Sequence, residues 1–510
     1  MSRESDRLGC ASRKLDRRSV LLGGTAVTAA STLSANVSVQ VAHAQTPAAS
    51  ADRKPTNPGS VQAYPDPLIT AVATPDSVAR AKEIEAYTLG VSAYLWGYPL
   101  VRMERIMREY TDVRAPQPAT SYRAALNRIG WATALATPLA KDMPTANNDT
   151  LYMSAVVALT EPYVLSVPDT KDRYYVINVF TTYHEDEHDI GRRTTGTKAG
   201  RFAIVPPGWK GELPADLKRL DVSTDKVWLW GRLHVRDGED PAAVEALLPK
   251  FDLRPLSQLA SPKYAATAAA LPSLPDIAGD ELGFFAHLGY AMQHNPILPR
   301  DAALVGQFER IALTPKGFDR SKLSPEQIRG LRRALDDAPV VASAAITTTS
   351  IRKDGWDWAV LDGYGFNYPL RAVHSGPYLG GNSAREALYP NTYVDSENNP
   401  LTGAHRYELR FTKAPPVDAF WSLTIYNADD KMLVDNPINR YKVGSETPGL
   451  KVSPDGSFTI MIQHDQLQGP DKTNWLPAPA GKFNLFLRFY QPRPEILNGS
   501  YTLPHLVKMP

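Results

Sequence analysis

The run His184–Asp189 reads H-E-D-E-H-D, and its first five residues match the H-E-x-x-H spacing of zinc proteases. On a helix, that spacing puts both imidazoles on one face, within reach of one ion. The glutamate, here Glu185, then acts as general base on the bound water. The match extends to Gly191, but the position of a third, metzincin-type ligand is Thr194. The run directly follows the strand-like segment YYVINVF, and Gly191 comes three residues after His188, which leaves little length for a helix. The expectation is therefore a polar loop at a pocket mouth and no zincin site. If His184 or His188 holds a metal, nearby carboxylates complete a looser site for a hard or borderline divalent ion.

Three other groupings carry polar chemistry. In NNDT, Asn147, Asn148 and Asp149 have side chains that shape turns, and Tyr152 opens the strand that follows. They read as an Asx turn or as the lining of a polar pocket, with Asp149 as general base or metal ligand. In GRRTTGTKAG (191–200), Arg192 or Arg193 offers a bidentate fork to a carboxylate or phosphate, or pairs structurally across a hairpin. The expectation is one polar cleft holding Asp149, Tyr152 and Arg193 as the catalytic set. NPINRY and NWLPAP gather Arg440, Tyr441, Asn474 and Trp475, whose aromatic faces and polar edges suit a sugar or aromatic ligand, or pin loops onto a sheet. In KFNLFLRFY, alternation puts Leu485, Leu487 and Phe489 on one face and Phe486 and Arg488 on the other.

The elements that position these residues follow from periodicity. Residues 77–110 have mixed helical spacings, with a break or kink expected at Pro99. YVLSV, YYVINVF, RFAIV and KVWLW then read as strands. Helix returns between about Pro241 and Ser350, with Ser324-Pro325-Glu326-Gln327 as its clearest start. After Tyr389 the chain is strand-rich, at a spacing that suggests a sandwich or jelly roll. The fold class is α+β, mainly β: an N-terminal domain over 77–240, a helical connection over 241–375 and a C-terminal domain over 376–510. No dinucleotide, P-loop or serine-hydrolase motif is present.

The segments 146–183 and 191–209, from ANNDTLYMSAVVAL to GRFAIVPPGW, resemble the bacterial domain of unknown function numbered 1254. The segments 406–429, 436–457 and 474–501 resemble its usual C-terminal companion, numbered 1214. The resemblance, roughly over 80–510, implies a β-sandwich-type first domain and a jelly-roll-like second one. It implies no settled activity.

The chain has 510 residues, 43% hydrophobic and 22% charged, which fits a globular protein of more than one domain. Arg17-Arg18, a mildly apolar run and Ala42-His43-Ala44 read as a twin-arginine export signal, with cleavage near Ala44 and a linker over 45–76. A periplasmic or secreted location is expected, with no stable membrane span. Residues 1–44 carry six of the 56 basic and three of the 54 acidic residues, which leaves 50 against 51. No cationic surface for nucleic acid is implied. Cys10, the single cysteine, lies in the same segment, so no thiol chemistry is expected of the mature protein. The functional expectation is an exported hydrolase or lyase acting on a small oxygen-rich or aromatic molecule between the two β domains. The alternative is a non-catalytic binder of a glycan or other ligand. Homo-oligomer formation is left open.

Overall fold

The computed structural model describes Leu68 and residues 71–510, apart from 116, 262, 263, 265–269 and 468. The export signal, its cleavage site and most of the linker lie outside the described residues. Helix α1 (Pro75–Thr111) starts at a capping box: Ser77 N donates to Thr74 Oγ1 while Thr74 N donates to Ser77 Oγ. It continues through Pro99 without the expected break. A helix-interior proline forfeits one backbone bond. Here Pro99 is buried among Leu95, Trp96 and Leu100, and that packing holds the helix together. Helices α2 (Gly283–Gln293), α3 (Pro325–Thr349) and α4 (Tyr368–His374) pack on α1. The box at Ser324 and Gln327 opens α3 as the sequence suggests.

Among the described residues the first sandwich holds nine strands: β1 (Gly130–Trp131), β2 (Thr150–Ala158), β3 (Tyr163–Val167), β4 (Tyr175–Thr181), β5 (Asp186–Gly191), β6 (Gly200–Val205), β7 (Lys218–Asp221), β8 (Lys226–His234) and β9 (Asp252–Pro255). One sheet runs β1-β2-β8-β4-β5 and the other β7-β6-β3-β9. Met153, Ile177, Leu229, Leu165 and Ile204 pack in the core between them. Strand β9 falls in the stretch expected to be helical connection, yet Leu253 pairs with Leu165 of β3. Four residues at a sheet edge are too few to show a period.

After a small hairpin, β10 (Leu313–Thr314) with β11 (Gly317–Phe318), the second sandwich begins earlier than expected. Strands β12 (Ile351–Lys353) and β13 (Trp356–Trp358) already belong to it. It continues with β14 (Ala387–Leu388), β15 (Asn391–Thr392), β16 (Tyr407–Phe411), β17 (Trp421–Asn427), β18 (Lys442–Gly444), β19 (Phe458–Gln463), β20 (Trp475–Pro477), β21 (Phe483–Tyr490) and β22 (Leu506–Lys508). The sheet β12-β13-β15-β21-β17-β18, with β14 also on β21, faces the sheet β20-β19-β16-β22 across a second core.

The central strands of both sandwiches are buried on both faces. In β8, Val227, Leu229 and Leu233 enter the core, while Trp228, Trp230, Arg232 and His234 alternate with them on the other side. In β21, Leu485, Leu487 and Phe489 enter the second core, while Asn484, Phe486, Arg488 and Tyr490 alternate with them. These second faces, polar and aromatic, meet each other. Trp228, Trp230 and Tyr152 share one packed cluster with Tyr426 and Phe486.

Candidate functional site

The space between the sandwiches starts at the NNDT turn. Asn147 Oδ1 accepts from Asp149 N, Thr150 N and Thr150 Oγ1 at 2.9, 2.9 and 3.1 Å. Asn147 N and Nδ2 donate to the Tyr152 hydroxyl at 3.0 and 2.9 Å. One buried amide thus orients both Asp149 and Tyr152, while Asn148 Nδ2 donates away, to Ala136 O at 2.6 Å. Asp149 reaches across to the second sandwich, accepting from Ser422 Oγ and Lys442 Nζ, each at 2.7 Å. Lys442 also pairs with Asp237 at 3.0 Å. Burial alone pushes the Asp149 carboxyl up, but Lys442 and the Ser422 hydroxyl outweigh it and hold it below the usual carboxylate range. Asp149 is an ionised anchor whose two oxygens are both committed, not a free base.

Two buried arginines face each other's domains. Arg232 of β8 donates to Asn178 Oδ1 and Asn382 Oδ1, both at 3.1 Å, and to Gly380 O at 2.6 Å. Arg488 of β21 donates to Thr145 O at 2.7 Å and to Tyr426 Oη at 2.8 Å. Tyr152 stacks on Trp230, with ring centroids 4.8 Å apart, and the Arg232 guanidinium lies over both rings. Several buried polar atoms here have no hydrogen-bond partner among the described residues: Arg488 Nη1, Tyr490 Oη, Tyr174 Oη, Thr424 Oγ1 and both amide atoms of Asn484. Burial, then the nearby Asp149 charge, pushes the Tyr490 phenol well up, so it stays protonated.

Arg193 is not part of this group. Its Nε donates to Glu386 Oε2 at 2.6 Å and its Nη2 to Asp189 Oδ2 at 2.5 Å. Its neighbour Arg192 donates to Asp418 O at 3.1 Å and to Gln491 Oε1 at 2.7 Å. The turn is therefore a clasp between the sandwiches, beside an open cleft of about 420 Å³ lined by Arg192, Arg193, Arg385, Asp418, Gln491 and Pro492. The single cleft expected for Asp149, Tyr152 and Arg193 is corrected by sheet order. Two strands, β8 and β4, separate β2 from β5, which puts the turn roughly 14 Å from β2 at ordinary strand spacing. Arg193 meets Glu386, and Tyr174 packs on Tyr490 between the sandwiches.

The H-E-x-x-H run is not helical. His184 sits in a turn at φ 58°, and β5 starts at Asp186. His184 Nε2 accepts from Gly380 N at 3.0 Å, which places the ring proton on Nδ1, where it has no partner. Burial, then His374 and Arg371, brings its pKa down to about 3. His188 Nε2 bonds Asp221 O at 2.7 Å. The two rings are engaged by different elements, so the spacing does not bring them to one ion. Among the described residues no group of three His, Cys, Asp or Glu is arranged to hold a metal. Glu185 pairs with Arg300 and Arg371 instead.

Gly380 ties the two regions together, since its N–H serves His184 and its carbonyl serves Arg232. Its φ is +68°, and a Cβ there would stand 2.7 Å from the Trp230 ring. Arg440, Asn474 and Trp475 lie elsewhere, in the loop-pinning role. Arg440 donates to the carbonyls of Lys472, Thr473 and Trp475. Asn474 bonds Lys451 N, Lys451 O and Thr459 O, and the buried Trp475 donates to Gln463 O. Sequence reasoning missed Arg232, Gly380, Asn382, Ser422, Lys442 and Tyr490. The Gly-Gly at 380–381 and a charge inside the strand KVWLWGRLH were the available signals.

Two sandwiches joined face to face across a buried polar and aromatic interface, with helices packed beside them, define an α+β, mainly β protein. Protein of unknown function (DUF1254) matches residues 126–255, and Protein of unknown function (DUF1214) matches residues 386–494. The chain thus carries a match to each of the two domains, the first N-terminal to the second. The crystal structure of the VPA0106 protein from Vibrio parahaemolyticus is similar, at 25% identity and a TM-score of 0.65, over 83% of this chain and 100% of that one. A putative uncharacterized protein from Burkholderia cenocepacia matches at 12% identity and a TM-score of 0.40, over 85% of this chain and 96% of its own, too loose a likeness to argue from. No curated protein matches.

Proposed function

We propose that the protein is an exported enzyme that takes a small oxygen-rich or aromatic molecule into the compartment between the sandwiches. The observation that carries this reading is the set of buried polar atoms there without protein partners, on Arg488, Tyr490, Tyr174, Thr424 and Asn484. Each such atom costs about 1–3 kcal/mol when left unpaired, so a set of them in one place favours a bound molecule that pairs them. Tyr152 stacked on Trp230 supplies the flat wall. The Tyr490 phenol, which burial keeps protonated, serves as a hydrogen-bond donor to a bound oxygen, and Asp149 positions rather than abstracts. The second reading is a non-catalytic binder, and the commitment of both Asp149 oxygens favours it.

Incubation with a panel of oxygen-rich and aromatic metabolites, followed by mass spectrometry and thermal unfolding, tests both. A mass change lost in Tyr490→Phe supports the enzyme. A melting shift without a mass change supports the binder, and neither response with any compound rejects the compartment as a ligand site. Export is tested separately: Arg17→Lys with Arg18→Lys blocks it if the twin-arginine reading holds.

A further inference from the structure

Resting on that compartment reading, we infer that the molecule bound there is an anion, held through a carboxylate by Arg488 and the electrostatic field of Arg232. Neither guanidinium has a carboxylate within ion-pair distance among the described residues, and the side chains are 6% and 4% exposed at Arg232 and Arg488 respectively. Their protein partners are amide oxygens, backbone carbonyls and one phenol, all neutral. Asp149, whose charge acts on Arg488, commits both oxygens to Lys442 and Ser422, and Lys442 takes Asp237 as well, while Asp186 and Asp189 reach Arg232 through the Asn178 amide. Glu446 pairs with His234. The surrounding phenols do not supply the missing charge, because burial keeps Tyr174, Tyr389, Tyr426 and Tyr490 protonated.

Two cations are thus held out of water with no carboxylate bonded directly to either among the described residues, an arrangement that is costly unless something negative joins them. A free donor is already present: Arg488 Nη1 is buried and unpartnered. Tyr490 Oη, two residues along the same face of β21, is a second. A planar guanidinium beside an O–H donor suits a carboxylate, whose two oxygens accept in one plane. The flat wall of Tyr152 and Trp230 beside Arg232 leaves room in the chemistry for an aromatic or unsaturated body on that carboxylate.

The test pairs each acid with its neutral isostere. Thermal unfolding and calorimetric titration of the whole mature protein are run with acetate against acetamide, benzoate against benzamide, and inorganic phosphate, at ionic strength matched with chloride. At least one carboxylate should raise the melting temperature saturably by several degrees while its amide does not. Arg488→Met should lose that response and, without added anion, unfold at or above the wild-type temperature, because an uncompensated buried charge has gone. Tyr490→Phe, which keeps the fold and the charge, should weaken the carboxylate response several-fold. Equal stabilisation by acid and amide overturns the anion and leaves a neutral oxygen-rich ligand standing. A response to phosphate and to no carboxylate overturns the carboxylate. A wild-type protein blind to every probe, with a destabilised Arg488→Met, makes the arginine structural and removes both readings.

Discussion

Asp149 keeps its charge in a buried place because Lys442 and Ser422 stand against it from the other sandwich. Asp149→Asn should cost about 3 kcal/mol in urea unfolding at pH 7, the low end for breaking a buried pair, since Asp237 still faces Lys442. The carboxyl's folded pKa is depressed, so its contribution is present above the unfolded pKa and is lost as pH falls through the folded value. The gap between wild type and Asp149→Asn should therefore narrow in acid. A gap that widens there contradicts the assignment. His184 has its own pH window. Its pKa falls from 6.5 unfolded to about 3 folded. The unfolded chain takes the proton first, and stability drops as pH falls through that window, by up to about 1.4 kcal/mol per pH unit. His184→Gln keeps an acceptor for Gly380 N–H, so unfolding measured at pH 7 and pH 5 should show a shallower loss. The Asx turn at Asn147 was legible because such side chains bond the backbone two residues on. Lys442 and Ser422 were not, because nothing near them in sequence signals a carboxylate almost 300 positions away.

Whole strands were more legible than the loops between them. Alternation in KFNLFLRFY assigned both faces of β21 correctly, since a period of two needs no tertiary information. Short edge strands such as β9 and β12 were unreadable for the opposite reason, as three or four residues carry no period. The loop 378–382 matters most among the missed segments. Gly380→Ala imposes a Cβ on a residue at φ +68° and drives it against Trp230. A loss of about 2–3 kcal/mol is expected from strain and overpacking together. The carbonyl that holds Arg232 should shift with it, so ligand response should weaken more than at a control loop glycine with open space, such as Gly456. Equal effects at the two glycines, measured by melting and titration, contradict a positioning role for the loop.

At the scale of the whole molecule, the two sandwiches are held by the clasp at one edge and by the buried ion pairs behind it. Arg193→Ala strands Glu386, which is fully buried and whose carboxyl burial already raises. The expected cost is about 2 kcal/mol at pH 8, below the fully buried range because Arg193 is itself partly exposed. The cost should shrink at pH 5, where Glu386 is closer to protonation. Differential scanning calorimetry at the two pH values checks the sign. A penalty that grows in acid removes Glu386 as the cause. Two separate transitions in the variant, where the wild type gives one, would show that the clasp couples the domains.

The meeting of two polar faces also bears on how the chain is made. Strands β2 to β8 leave the ribosome long before β17 and β21, and close their own core without them. Until its partner exists, the first sandwich exposes Arg232, Asn178 and the tyrosines to water, which solvates them well. A growing chain that waits with a wettable face offers aggregating neighbours less to stick to than one with a bare leucine face. That face loses its water when the second sandwich docks on it. If the proposed anion binds between the sandwiches, its presence at that moment favours docking, as any ligand selective for the assembled state does.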